Sequence, residues 1–206
     1  MELLFISLRL IVPIFVVRFP ISTILASLWL DFNDFTYIGH FEHYQIIDKW
    51  LDLYYLAWCL YASRRWLDTR AKRIALYLFV YRFIGCALLT ITNREEVLLI
   101  FPNVFEMFFI FFILYRRLSN CDYLLHSWRQ TILIVSSLLL PKLVQEYGLH
   151  VKPLHPELTP DWFQSILNLP ALVESILWIS APIAVLTYYV IRSRSSPTIN
   201  DPEDTP

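Results

Sequence analysis

Residues 44–63 read YQIIDKWLDLYYLAWCLYAS. At a helical rise of about 1.5 Å per residue, a run of about 20 residues matches the roughly 30 Å hydrocarbon core of a bilayer. The run is apolar enough for that medium except at Asp48, Lys49 and Asp52. A charge at the bilayer centre is expensive, so such residues pair within a protein interior or line a polar cavity. The stretch therefore predicts a membrane helix whose charged side faces other helices.

Applied along the chain, the same test finds five further candidate spans. These are Ile11–Leu30 (marked by Pro13 and Pro20), Arg73–Thr92, Val97–Tyr115, Thr131–Tyr147 and the part of Phe163–Ile191 that begins near Pro170. The expected fold is an all-α, polytopic membrane helix bundle of about six transmembrane helices. Residues 1–192 would form one integral membrane domain, with residues 1–10 as an interfacial lead-in or an extension of the first helix. Residues 193–206 (SRSSPTINDPEDTP) would be a disordered polar tail.

Composition agrees. Hydrophobic residues make up 57% of the 206, and charged residues only 17% against about a quarter in soluble domains. Mean hydropathy is +0.50. With three glycines and no G-x-G-x-x-G or G-K-[ST], no phosphate loop or dinucleotide fingerprint is present. A net charge of -1 gives no reason to expect a nucleic-acid partner. Cys59, Cys86 and Cys121 form no C-x-x-C, so neither a disulfide framework nor a zinc knuckle is indicated. The N-terminus lacks a basic region before its apolar run, which Arg9 and Arg18 interrupt; it is expected to be retained rather than cleaved.

Basic residues set the expected orientation. Arg64, Arg65, Arg70, Lys72 and Arg73 lie between the second and third spans. Arg116, Arg117 and Arg129 lie between the fourth and fifth, and Arg192 and Arg194 follow the last. The positive-inside rule then places both termini in the cytoplasm. Trp29, Trp50 and Trp162 fall near outer ends and Trp66 and Trp128 near inner ends, as in an aromatic belt. Asp31, Asp34, Glu42, Glu95, Glu96, Glu157 and Asp161 are left on the outer side.

Nine charges lie inside the candidate spans: Arg18, Asp48, Lys49, Asp52, Arg82, Glu106, Lys142, Glu146 and Glu174. Tyr44, Asp48 and Asp52 recur every fourth residue and share a helix face; Asn103 with Glu106, and Lys142 with Glu146, do likewise. Counting from the outer ends places Asp48 about 6 Å deep, Lys142 about 7 Å, Asp52 about 12 Å, Glu106 about 14 Å and Arg82 about 15 Å. Pointing these stripes at one another is the cheapest arrangement, so one polar intramembrane cluster of Asp48, Asp52, Arg82, Asn103, Glu106, Lys142 and Glu146 is expected. Within it, Arg82–Glu106 reads as an ion pair between the third and fourth helices. Pro102 reads as a kink whose freed backbone groups Asn103 satisfies. Tyr54, Tyr55 and the run Phe105–Phe112 read as packing or lipid-facing residues. His40, His43, His150 and His155 lie on the outer side but show no H-x-x-x-H spacing for a transition metal. No residue is assigned a catalytic role.

Asp31 and Asp34 close the first candidate helix, and Asp48 and Asp52 open the second. Four carboxylates so placed offer hard oxygen ligands for Mg2+ or another divalent cation. The pattern distantly resembles the D-x-x-D … D-x-x-x-D halves of the acidic signature of CDP-alcohol phosphotransferases, six-helix membrane enzymes. The resemblance covers residues 31–52 and implies metal-dependent chemistry on a lipid substrate. The chain departs from that pattern at Phe35, Ile38–Gly39 and Tyr44, where the family has Gly, Ala-Arg and Gly, and its interval between halves is shorter. These aspartates also face outward, whereas that family draws its substrates from the cytoplasm.

Three functions are compatible with these features. The first is a non-catalytic accessory, assembly or lipid-embedded binding protein, with membrane lipids and other membrane subunits or a second copy as partners. The second is a divalent-metal-dependent enzyme acting on a lipid or isoprenoid through Asp31, Asp34, Asp48 and Asp52, with Arg82 and Lys142 for an anionic group. The third is a small proton-coupled transporter with Asp52, Arg82 and Glu106 as relay.

Overall fold

The computed structural model describes residues 2–39, 44–146 and 171–195, without the side chains of 34–36, 38, 145–146 and 171–178. The four outer histidines, residues 196–206 of the tail, and the side chains of Asp34, Glu146 and Glu174 therefore lie outside the described residues. The elements are α1 (Glu2–Ile11), a 3-10 segment (Val12–Val17), α2 (Pro20–Ile38), α3 (Tyr44–Ser63), α4 (Thr69–Thr92), α5 (Val97–Ile100), α6 (Val104–Ser119), α7 (Trp128–Glu146) and α8 (Ala171–Ser195). The fold is all-helical, with no strand among the described residues. Among the described residues, two stretches, Thr69–Thr92 and Val97–Ser119, are long and apolar enough to cross a membrane, against the six expected along the chain. Helix α3 falls short because Asp48, Lys49 and Asp52 crowd one segment of it. The chain forms two compact units, Met1–Ile110 and Phe111–Pro206.

The first unit departs from expectation at its start. Ile11–Leu30 is not one helix. The 3-10 segment ends at Val17, Arg18 and Phe19 both donate their backbone N–H to Phe15 O, and a new helix begins at Pro20. Proline suits the first helical position but restricts the residue before it, so Phe19-Pro20 breaks the helix and starts the next. The chain reverses there. Phe5 stacks on Tyr37 with ring centroids 4.6 Å apart, and Phe5 and Leu30 anchor a small core with Ile6, Val12, Tyr44 and Leu51 around it. Leu10 O accepts from Tyr54 Oη at 3.0 Å, and Val17 O lies 3.5 Å from Arg65 Nη1. The α1 and 3-10 segments thus run antiparallel to α2 and parallel to α3.

Helix α4 starts at Asp68, whose carboxylate accepts the N–H of Ala71 at 2.9 Å, and ends at Asn93 in the left-handed conformation (φ 53°). Trp66 is buried rather than placed in an aromatic belt: its ring packs on Phe108 and Phe109, and Phe105, Phe108 and Phe109 are themselves buried. The Phe run therefore serves packing.

Pro102 breaks the helix between α5 and α6. The carbonyls this frees are taken by α4: Tyr81 Oη donates to Ile100 O, and Arg82 Nη1 donates to Phe101 O at 2.8 Å. Helix α4 can approach the break this closely because Gly85 faces Phe101; a Cβ on Gly85 would collide with Phe101 Cβ.

In the second unit, α7 packs on α8. Ser127 and Gln130 cap α7 reciprocally: Gln130 N donates to Ser127 Oγ at 3.3 Å and Ser127 N to Gln130 Oε1 at 3.0 Å. Arg116 pairs with Asp122, and Arg194 Nε donates to Leu118 O at 3.1 Å.

The contact at Gly85 yields a test. Gly85→Ala should destabilise the purified protein by about 1–3 kcal/mol, the usual cost of overpacking a tight interior. Thermal unfolding in detergent measures it; an unchanged midpoint would show that α4 does not clamp the break.

Candidate functional site

The densest polar constellation of the first unit centres on Arg9, a residue of the N-terminal helix. The chain reversal carries it back to the far end of α2 and the start of α3. Its Nη1 donates to Asp31 Oδ1 at 3.2 Å, and its Nη2 donates to Asp52 Oδ1 at 2.8 Å and lies 3.6 Å from Asp48 Oδ1. Lys49 binds two of these carboxylates through their second oxygens: Nζ is 2.6 Å from Asp48 Oδ2 and 3.6 Å from Asp52 Oδ2. Two cations thus bridge three carboxylates drawn from α2 and α3.

Burial gives these contacts weight. The Arg9 side chain is 5% exposed, Asp48 7%, and Lys49 and Asp52 16% each, whereas Asp31 is 46% exposed. Taking such charges out of water is costly, and only close, hydrogen-bonded partners offset that cost. The spacing explains the geometry. Asp48 and Asp52 stand one turn apart on α3, so a single forked guanidinium spans both, and Lys49 sits between them in sequence. Arg82 of α4 is buried as well, and its charge is felt at both Asp52 and Lys49. Counting Arg82, three cations balance three carboxylates.

The residues of the predicted cluster fall in both units. Asp48 and Asp52 join, with Arg9, Asp31 and Lys49 in place of more distant partners. Arg82 gives its hydrogen bond to Phe101 O, not to Glu106, because the break at Pro102 offers a fixed acceptor close at hand. Asn103 serves α6 instead: its Oδ1 accepts from Glu106 N at 3.4 Å and its Nδ2 donates to Glu106 Oε2 at 3.0 Å. Lys142 and the backbone of Glu146 belong to α7 in the second unit.

Arg9 is the residue the sequence reading missed. It stands outside the first candidate span, among residues read as a lead-in. A signal was present in the two prolines. Arg9 and Asp31 are equidistant from Pro20, so a hairpin centred there pairs them, and Phe5 with Tyr37 almost as closely.

Of the four aspartates offered for a metal, Asp31, Asp48 and Asp52 each bring one oxygen within 4.8 Å of the others. The donor set does not fit a divalent cation as built. Arg9 already engages all three, Lys49 engages two, and an added cation would sit among like charges. The arrangement suits an internal ion-pair network that fixes three segments in register. No family model, no curated protein and no solved structure matches the chain.

Substitution of the hub separates its arms. Arg9→Met takes from the buried Asp52 its hydrogen-bonded cation, leaving only the longer Lys49 contact, and should cost about 3–5 kcal/mol of stability. Asp31→Asn, at the half-exposed arm, should cost no more than about 1 kcal/mol. Unfolding midpoints of the two variants in the same detergent measure this; equal effects would contradict the assignment of Arg9 as hub.

Proposed function

We propose that this chain is a multi-pass integral membrane protein with a non-catalytic role, an accessory, assembly or lipid-embedded binding protein whose partners are other membrane subunits or a second copy of itself. The observation that carries this reading is that Arg9, Lys49, Asp31, Asp48 and Asp52 form ion pairs with one another. A catalytic or transport site needs groups free to engage a substrate or ion. These engage one another, and hold α1, α2 and α3 in register.

The membrane reading rests on the two apolar stretches and on the large apolar side chains left outside, among them Leu3, Phe15, Trp29, Phe32, Ile91 and Ile132. In this reading α2, α3, α7 and α8 also cross. The α1 and 3-10 segments, at about 1.5 and 2.0 Å per residue, together reach about 27 Å and add one more crossing. The basic ends of the helices face the cytoplasm. With the additional crossing, the N-terminus lies on the opposite face and the C-terminus stays cytoplasmic, which replaces the arrangement inferred from a single first span.

The test is a native mass spectrum of the protein extracted gently from its own membrane. The proposal expects a mass well above the 24.5 kDa of one chain, with reproducible partner chains or a second copy. A monomer carrying a divalent cation that is lost in Asp48→Asn would support the enzyme reading and sink this one.

A further inference from the structure

The charges of the first unit are sorted by end. At the end where α2 finishes and α3 begins, Arg9 and Lys49 are neutralised by aspartates. At the other end, where α3 finishes and α4 begins, cations gather. Arg64 and Arg65 leave the last turn of α3, and Arg70, Lys72 and Arg73 fall in the first turns of α4. The reversal of the chain adds Arg18, since Val17 O lies 3.5 Å from Arg65 Nη1. Arg18, Arg64, Arg65 and Arg73 are exposed. Among the described residues, no carboxylate forms an ion pair with any of these four or with Lys72. The nearby Asp68 is buried and turned inward to cap α4 through Ala71 N.

We propose that this basic end is a binding site for the phosphate of anionic lipid headgroups in the adjoining leaflet. Guanidinium groups match phosphate oxygens in geometry and charge, and a cluster of several cations beside a membrane helix attracts anionic lipid at about fivefold per charge. The apolar surface beside the cations selects a lipid over free phosphate. Leu67 is 55% exposed between Arg65 and α4. Tyr61 is 49% exposed, with the Arg64 guanidinium 5.7 Å from its ring centroid. A headgroup held by Arg64, Arg65 and Arg18 would lay its acyl chains along this apolar surface. The site rests on the membrane reading of the chain but not on its non-catalytic role.

The test uses the full chain in detergent and reads the shift of its unfolding midpoint on adding lipid, because a ligand bound by the folded state alone raises stability. Phosphatidylglycerol should raise the midpoint, while phosphatidylcholine and inorganic phosphate should not. Arg64→Gln with Arg65→Gln should weaken the phosphatidylglycerol response by about 25-fold in concentration, at about fivefold per charge removed. Arg94→Gln, on the α4–α5 connection, should leave it unchanged. Equal responses to the two lipids would overturn the proposal, as would an undiminished response in the double variant or a full response to inorganic phosphate. If the double variant does not fold, the wild type decides alone: its response must fall with added salt, as screened contacts do, and a salt-independent response overturns the site. Failure here would leave the native mass spectrum, and the accessory reading it tests, untouched.

Discussion

Two buried carboxylates with a third at their edge, close enough to repel one another, cannot all stay charged unless cations come between them. That constraint organises the first unit. Arg9 supplies a planar fork that reaches Asp31, Asp48 and Asp52, and Lys49 completes the pairing from within α3. The reversal at Arg18–Phe19 brings the guanidinium there. The hydrophobic contacts nearby, Phe5 on Tyr37 and Leu30 with Leu51, fill space around a position that the charges set.

A second polar requirement governs the break between α5 and α6. Proline at 102 removes a donor and opens the helix, and in an apolar setting the exposed carbonyls need partners. Helix α4 supplies them from Tyr81 and Arg82, and Gly85 lets the backbones come close enough. Arg82 is therefore a link between the two requirements. Its hydrogen bond serves the break, and its charge is felt at Asp52 and Lys49. Buried charges here act as positioning devices, each with a backbone or side-chain task.

Much of this was legible in the sequence. The bounds of α3 were read as Tyr44–Ser63, and the starts of α5 and α8 near Val97 and Pro170, because apolar run length and proline position dictate them. The sharing of one face by Asp48 and Asp52 followed from helical periodicity. What escaped was non-local. Hydropathy alone cannot distinguish one kinked span from a hairpin of two short segments, so Ile11–Leu30 was read through the turn and Arg9 was left outside. The Arg82–Glu106 pairing failed for a related reason: two opposite charges in neighbouring helices look like partners until the backbone acceptor freed by Pro102 is considered. Trp66 was read as a belt residue from its place near a helix end, yet the Phe face of α6 buries it.

The measurement that bears most directly on the central claim is a double-mutant cycle between Arg9 and Asp52, using Arg9→Met, Asp52→Asn and the pair, read from equilibrium unfolding. Residues in one buried charge network couple by about 0.5–3 kcal/mol, whereas distant sites add to within about 0.5 kcal/mol. A coupling in the upper part of the first range, with the pair more stable than the sum of the single losses implies, is the expected result. Strict additivity would mean that Arg9 does not hold Asp52, and that the start of the chain is positioned by something other than charge.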